Sequence, residues 1–164
     1  MPAFFLSFGL LMALHVKRKE HPVNLILLAA FTVVMAYTVG VTVTFFDKLV
    51  VLQAFILTSA VVAGLTAFTF QTKRDFSSFG AALYSGLMIL IGASFIHLFI
   101  GGEIAQTGLA VFGAILFCFF IVYDTQMIMS RVNEEEYILA TIQLYLDIIN
   151  LFMEILKILN KSNR

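Results

Sequence analysis

The sequence contains few charged residues for its length. Only 12% of the 164 residues are Asp, Glu, Lys or Arg, whereas 61% are hydrophobic and eighteen are Phe. Soluble domains usually carry about 25% charged residues and about 45–50% apolar ones. The shortage of charge therefore excludes an ordinary soluble domain and predicts an integral membrane protein in contact with a lipid bilayer.

Basic residues are not in excess either. Ten Lys and Arg balance ten Asp and Glu, and the basic residues fall in small separate groups. Nucleic acid is therefore not expected as a partner, because phosphate binding needs a concentrated basic surface. The single cysteine, Cys118, excludes an intrachain disulfide and is predicted to be a small packing residue.

Patterns of intramembrane catalysis are missing as well. The sequence has no Ser-Lys, His-Glu-x-x-His or Gly-x-Gly-Asp motif. The three histidines, His15, His21 and His97, lie in different segments, which argues against a histidine metal site. We therefore expect that the chain is not an enzyme.

The sequence does contain long apolar segments separated by short polar breaks. This pattern predicts an all-α polytopic membrane helix bundle that forms one domain over residues 1–164. The first segment has about 14 residues, or roughly 21 Å of helix, and is short for a hydrocarbon core of about 30 Å. The six predicted segments are about 3–16, 23–46, 49–70, 79–100, 104–129 and 137–159.

The positive charges of the loops predict an orientation. The odd-numbered loops carry more Lys and Arg than the even-numbered ones, which places the odd loops in the cytoplasm. If all six segments span the membrane, the basic C-terminus lies on the side opposite the cytoplasm, which this rule disfavours. The last segment therefore either spans in spite of the rule or re-enters and returns to the cytoplasm. Its length favours spanning. The charges counted are Lys17, Arg18, Lys19, Lys73, Arg74 and Arg131 in odd loops, Lys48 in the even loops, and Lys157, Lys161 and Arg164 at the C-terminus.

Polar residues within the last segment follow one helical stripe. Gln143, Asp147, Asn150 and Glu154 stand at i, i+4, i+7 and i+11, with apolar residues elsewhere. The stripe is therefore expected to face protein or water and not lipid. A carboxylate at membrane depth costs several kcal/mol unless it is paired, protonated or hydrated. This makes Asp147 a candidate functional residue.

A second acid, Asp124, is predicted to lie at the same depth as Asp147. The two positions are mirror images about residues 135 and 136, within the turn between two antiparallel segments. Two such carboxyl groups should titrate as one unit and respond to protons. When both are ionised, they form a metal site suited to Ca²⁺, and Lys17 or Arg18 is a candidate basic gate partner. Less specific interpretations stay open: Asp124 as an interface residue and Asp147 as a structural hydrogen-bonding group.

Three motifs give the chain a family resemblance. They are IVYD at 121–124, LYLDIINLF at 144–152 and KRDFS at 73–77. Together they resemble the transmembrane Bax inhibitor motif family, and within it the lifeguard branch. The resemblance implies seven helices with the last one central, and it implies that this chain lacks the first family helix.

The resemblance also implies a function. Members act as pH-sensitive Ca²⁺ leak channels of the Golgi or endoplasmic reticulum that lower store Ca²⁺ and restrain apoptosis. The paired aspartates of the family match Asp124 and Asp147, and its basic gate residue matches Lys17 or Arg18. Met35 and Gln53 stand where many relatives have an acid. The alternative is a non-conducting membrane protein that regulates cell-death or Ca²⁺-release partners.

Overall fold

Six α-helices form the described part of the chain, residues 2–130 and 137–163 of a computed structural model. This confirms the predicted all-α bundle. Arg131 and Arg164, which entered the charge argument, lie outside the described residues. The helices are α1 (Pro2–Lys17), α2 (Val23–Val43), α3 (Lys48–Gln71), α4 (Gly80–Ile100, preceded by a 3-10 turn at Ser77–Phe79), α5 (Glu103–Ser130) and α6 (Tyr137–Ser162).

Local sequence signals account for several helix ends. The Asp47 side chain accepts a hydrogen bond of 2.8 Å from the Leu49 backbone N–H and so caps α3. Helix α4 ends at Ile100 and is followed by Gly101, whose φ of 72° lies in the left-handed region that glycine adopts without steric cost. A capping side chain and a glycine thus mark these two helix ends.

Five of the helices are long and apolar enough to cross a membrane, and α1 is shorter. Helix α6 is continuous over 26 residues, or about 39 Å. Near its end, Lys161 Nζ donates to the Glu103 carbonyl at 2.5 Å, and Asn163 Nδ2 donates to Gln53 Oε1 at 3.1 Å. Since these partners lie near the starts of α5 and α3, the last segment crosses the bundle and does not return to the side of the odd loops.

Helix α6 is the central helix among the residues described. It packs mainly on α5 and α3, and slightly on α2. Ile121, Leu151 and Leu156 form the centre of the larger core and are at most 1% exposed. A smaller core joins α6 to α1 and α2 through Leu14, Phe31, Ile138 and Ile142. The predicted central position of the last helix is thus confirmed.

Candidate functional site

Two aspartates meet between the longest helices of the bundle. Asp124 of α5 is 5% exposed, and Asp147 of α6 is 7% exposed. Their carboxyl groups lie within hydrogen-bonding reach of each other. The structure therefore brings together the two acids that the mirror relation placed at one depth.

The pair has no cationic partner within residues 2–130 and 137–163. The ion pairs described there join other residues, and Asp147 Oδ2 is buried without a conventional donor. A hydrogen bond between two carboxyl groups requires a proton on one of them. Since two uncompensated charges this close are unfavourable in low dielectric, the two carboxyl groups are suited to sharing one proton.

Tyr84 lies near the pair, and Tyr123 precedes Asp124 in α5; neither of them was predicted from the sequence to belong to the site. The Tyr84 phenol of α4 lies near both carboxyl groups, and its ring packs edge-on against Phe120 at 5.5 Å between centroids. At the start of α4, a Cβ on Gly80 would lie 2.6 Å from the Tyr123 hydroxyl. Glycine at this position lets α4 approach the residue that precedes Asp124. The sequence feature that could have indicated Tyr84 as a site residue is its hydroxyl group within an otherwise apolar segment.

Lys17 and Arg18 do not contact the aspartates in this structure. Lys17 Nζ lies 3.0 Å from both carboxylate oxygens of Glu20, and Arg18 Nη1 lies 3.5 Å from His15 Nε2. The Asn24 side chain holds the Arg18 carbonyl at 2.9 Å, which fixes the backbone of this loop. The basic gate contact is therefore not formed here, and it stays a prediction.

The polar stripe of α6 is buried along only part of its length. Asp147 is buried and Glu154 is partly buried, but Gln143 and Asn150 are exposed. At about 100° per residue, Asp147 and Glu154 lie on the edge of the stripe nearer Leu151, which packs in the core with α5. Neighbouring helices cover that edge and leave the other edge open.

Gln126, one helical position beyond Thr125, connects the site to the loop before α4. Its Oε1 accepts from the Phe76 backbone N–H at 2.6 Å, and its Nε2 donates to the Arg74 carbonyl at 2.7 Å. One side chain thus satisfies two backbone groups that lie about fifty positions earlier in the chain. It holds the loop that starts α4 beside the helix that carries Asp124.

Replacing Gln126 with alanine is expected to lower the free energy of unfolding by about 1–3 kcal/mol, because two backbone groups lose their partners. Thermal unfolding of the purified protein measures this loss. Ser59→Ala is a matched control, since Ser59 is exposed and bonds only a carbonyl of its own helix. Equal losses in the two variants would contradict the structural role of Gln126.

The described residues contain no group of three or more His, Cys, Asp or Glu side chains placed to hold a metal ion. Any cation at Asp124 and Asp147 would therefore complete its coordination with water, backbone carbonyls or hydroxyls. Two buried hydroxyls, Thr58 Oγ1 and Thr125 Oγ1, have no hydrogen-bond partner in the part of the chain described. Thr125 directly follows Asp124 in α5.

Comparisons with known proteins agree with the motifs. The family model "Inhibitor of apoptosis-promoting Bax1" matches residues 1–164. The chain is 52% identical over 158 residues to protein lifeguard 4 of Mus musculus, covering 96% of this chain and 66% of that protein. It is 46% identical over 164 residues to the Golgi anti-apoptotic protein of vaccinia virus strain Lister, covering 100% and 69%.

A plant relative shows similar coverage. The chain is 47% identical over 162 residues to the BI1-like protein of Arabidopsis thaliana, covering 95% of this chain and 62% of that protein. The chain thus spans about two thirds of the length of these relatives. The resemblance predicted from the three motifs is confirmed.

Proposed function

This chain belongs to the family of inhibitors of apoptosis-promoting Bax1, and we propose that it is a pH-sensitive Ca²⁺ leak channel, not an enzyme, in an intracellular membrane. The observation that carries the proposal is the buried pair Asp124 and Asp147, whose carboxyl groups lie within hydrogen-bonding reach of each other. The names of the relatives support a role in restraining apoptosis, and that of the vaccinia protein supports the Golgi. The endoplasmic reticulum is the second proposed location.

Protons and Ca²⁺ compete for the pair in this mechanism. A shared proton removes one negative charge and joins the two carboxyl groups, which weakens attraction for a cation. Full ionisation presents carboxylate oxygens, the ligands that Ca²⁺ prefers. With two acidic side chains at the site, binding is weak enough for the ion to leave, as conduction requires. Ca²⁺ flux is therefore expected to rise as pH increases.

Ca²⁺ flux into liposomes that contain the purified protein tests the proposal. The pH is stepped from acid to neutral on both sides together, and protein-free liposomes provide the background. Flux above background that increases with pH is the expected result. Absence of flux at every pH would contradict the channel, and co-purification of a membrane-protein partner would then favour the non-conducting regulator.

A further inference from the structure

We propose that Glu154 is a second binding position for a divalent cation, with Lys157 as its exchangeable counter-ion. The identity of the cation as Ca²⁺ rests on the proposed function. Glu154 lies seven residues beyond Asp147 on the same stripe of α6, which corresponds to about 10.5 Å along the helix axis. The two positions would therefore follow one another along a single path through the bundle.

A cavity of about 220 Å³ gives the Glu154 side chain room for a hydrated ion. A water molecule occupies about 30 Å³ in the liquid, so this space holds several waters. The cavity lies where the ends of α4 and α6 meet the start of α5. Its polar lining comes from all three helices and consists of Ser94, His97, Gln106, Glu154 and Lys157. The oxygens of Ser94, Gln106 and Glu154 are hard ligands suited to Ca²⁺.

Gly113 of α5 sets the position of the carboxyl group. A Cβ at Gly113 would lie 3.1 Å from Glu154 Cδ and 3.3 Å from Oε2, closer than side chains normally pack. Glycine therefore creates a recess in α5 into which the carboxyl group fits. His97 also lines the cavity, and its Nε2 lies 3.0 Å from the Gly102 carbonyl.

Lys157 is bound loosely and from the solvent side. Its Nζ lies 3.4 Å from Glu154 Oε1, and its side chain is 44% exposed while that of Glu154 is 15% exposed. The Lys157 ammonium group can leave at little cost because water can hydrate it, but the mostly buried Glu154 carboxylate still needs a positive charge nearby. A cation that enters the cavity supplies this charge. A purely structural ion pair of this exposure would contribute little to stability.

Titration calorimetry of Ca²⁺ binding to the full chain in lipid nanodiscs tests the inference. Lys157→Met is expected to raise the Ca²⁺ affinity about threefold, the size of coupling in partly exposed ion pairs. Glu154→Gln should lower the affinity and also abolish the gain from Lys157→Met in the double variant. Lys161→Met is the matched control, because Lys161 pairs with Glu103 outside this cavity.

Gly113→Ala is a second test of the cation site, because it changes the space around the Glu154 carboxyl group and keeps the charges of Glu154 and Lys157. Its methyl group should displace the carboxyl group and lower the Ca²⁺ affinity in the same direction as Glu154→Gln. The inference is overturned if Lys157→Met and Lys161→Met have equal effects, or if the gain from Lys157→Met survives Glu154→Gln. Thermal unfolding of each variant verifies that the compared proteins are folded.

Failure of this inference is distinct from failure of the channel. If Ca²⁺ flux depends on Asp124 and Asp147 but the calorimetry shows no coupling between Glu154 and Lys157, only the second binding position is contradicted. If the calorimetry shows this coupling but the liposomes show no flux, the channel proposal is contradicted and the Ca²⁺-binding cavity is supported.

Discussion

Changing Asp124 and Asp147 together to asparagine is expected to abolish the pH dependence of Ca²⁺ flux and to lower the flux at neutral pH by about tenfold or more. Asparagine keeps the size of the side chain and a hydrogen bond across the pair, but it cannot ionise. Losing about 1.4 kcal/mol of attraction for the cation already corresponds to a tenfold change. Flux into liposomes at stepped pH measures both effects.

Asp47→Asn is the control for this pair of substitutions. Asp47 is exposed and caps α3, and asparagine caps a helix about as well as aspartate does. The control removes a carboxylate without touching the pair, so its flux should follow the unmodified protein at every pH. If the double asparagine variant keeps both its flux and its pH response, the aspartates are not the sensor.

Replacing both aspartates with leucine is expected to preserve or increase stability. Each single change, Asp124→Leu or Asp147→Leu, leaves one buried carboxyl group without its partner and should lower the free energy of unfolding by about 1–3 kcal/mol. The double change removes both polar groups, and such replacements are often neutral or stabilising by about 1–4 kcal/mol. Thermal unfolding of the four proteins in one detergent measures the coupling.

This cycle decides whether the pair exists for stability or for function. A structural hydrogen bond that supports the fold predicts that the double leucine variant is the least stable of the four. A functional pair predicts a stable double variant without flux. The control is a leucine substitution at exposed Asn150 on the same helix, which should be nearly neutral.

Several features of this protein followed from its sequence because the bilayer restricts the possible structures. Backbone groups in lipid must be satisfied within the chain, so long apolar segments become helices of matching length. The depth of Asp124 and Asp147 followed for a similar reason, since antiparallel helices joined by a short connection rise equally from it. The helix ends at Asp47 and Gly101 likewise depend on local sequence, since an aspartate caps α3 and a glycine follows α4.

The rotation of each helix about its own axis was decided only by the tertiary structure. In a membrane the lipid-facing and protein-facing sides of a helix are both apolar, so hydrophobic pattern does not distinguish them. Sequence therefore showed the stripe from Gln143 to Glu154 but not that α5 covers one edge of it. The contacts of Gln126 with the loop before α4, of Tyr84 with the aspartates, and of Gly113 with Glu154 depend on that packing, because each joins residues far apart in the chain.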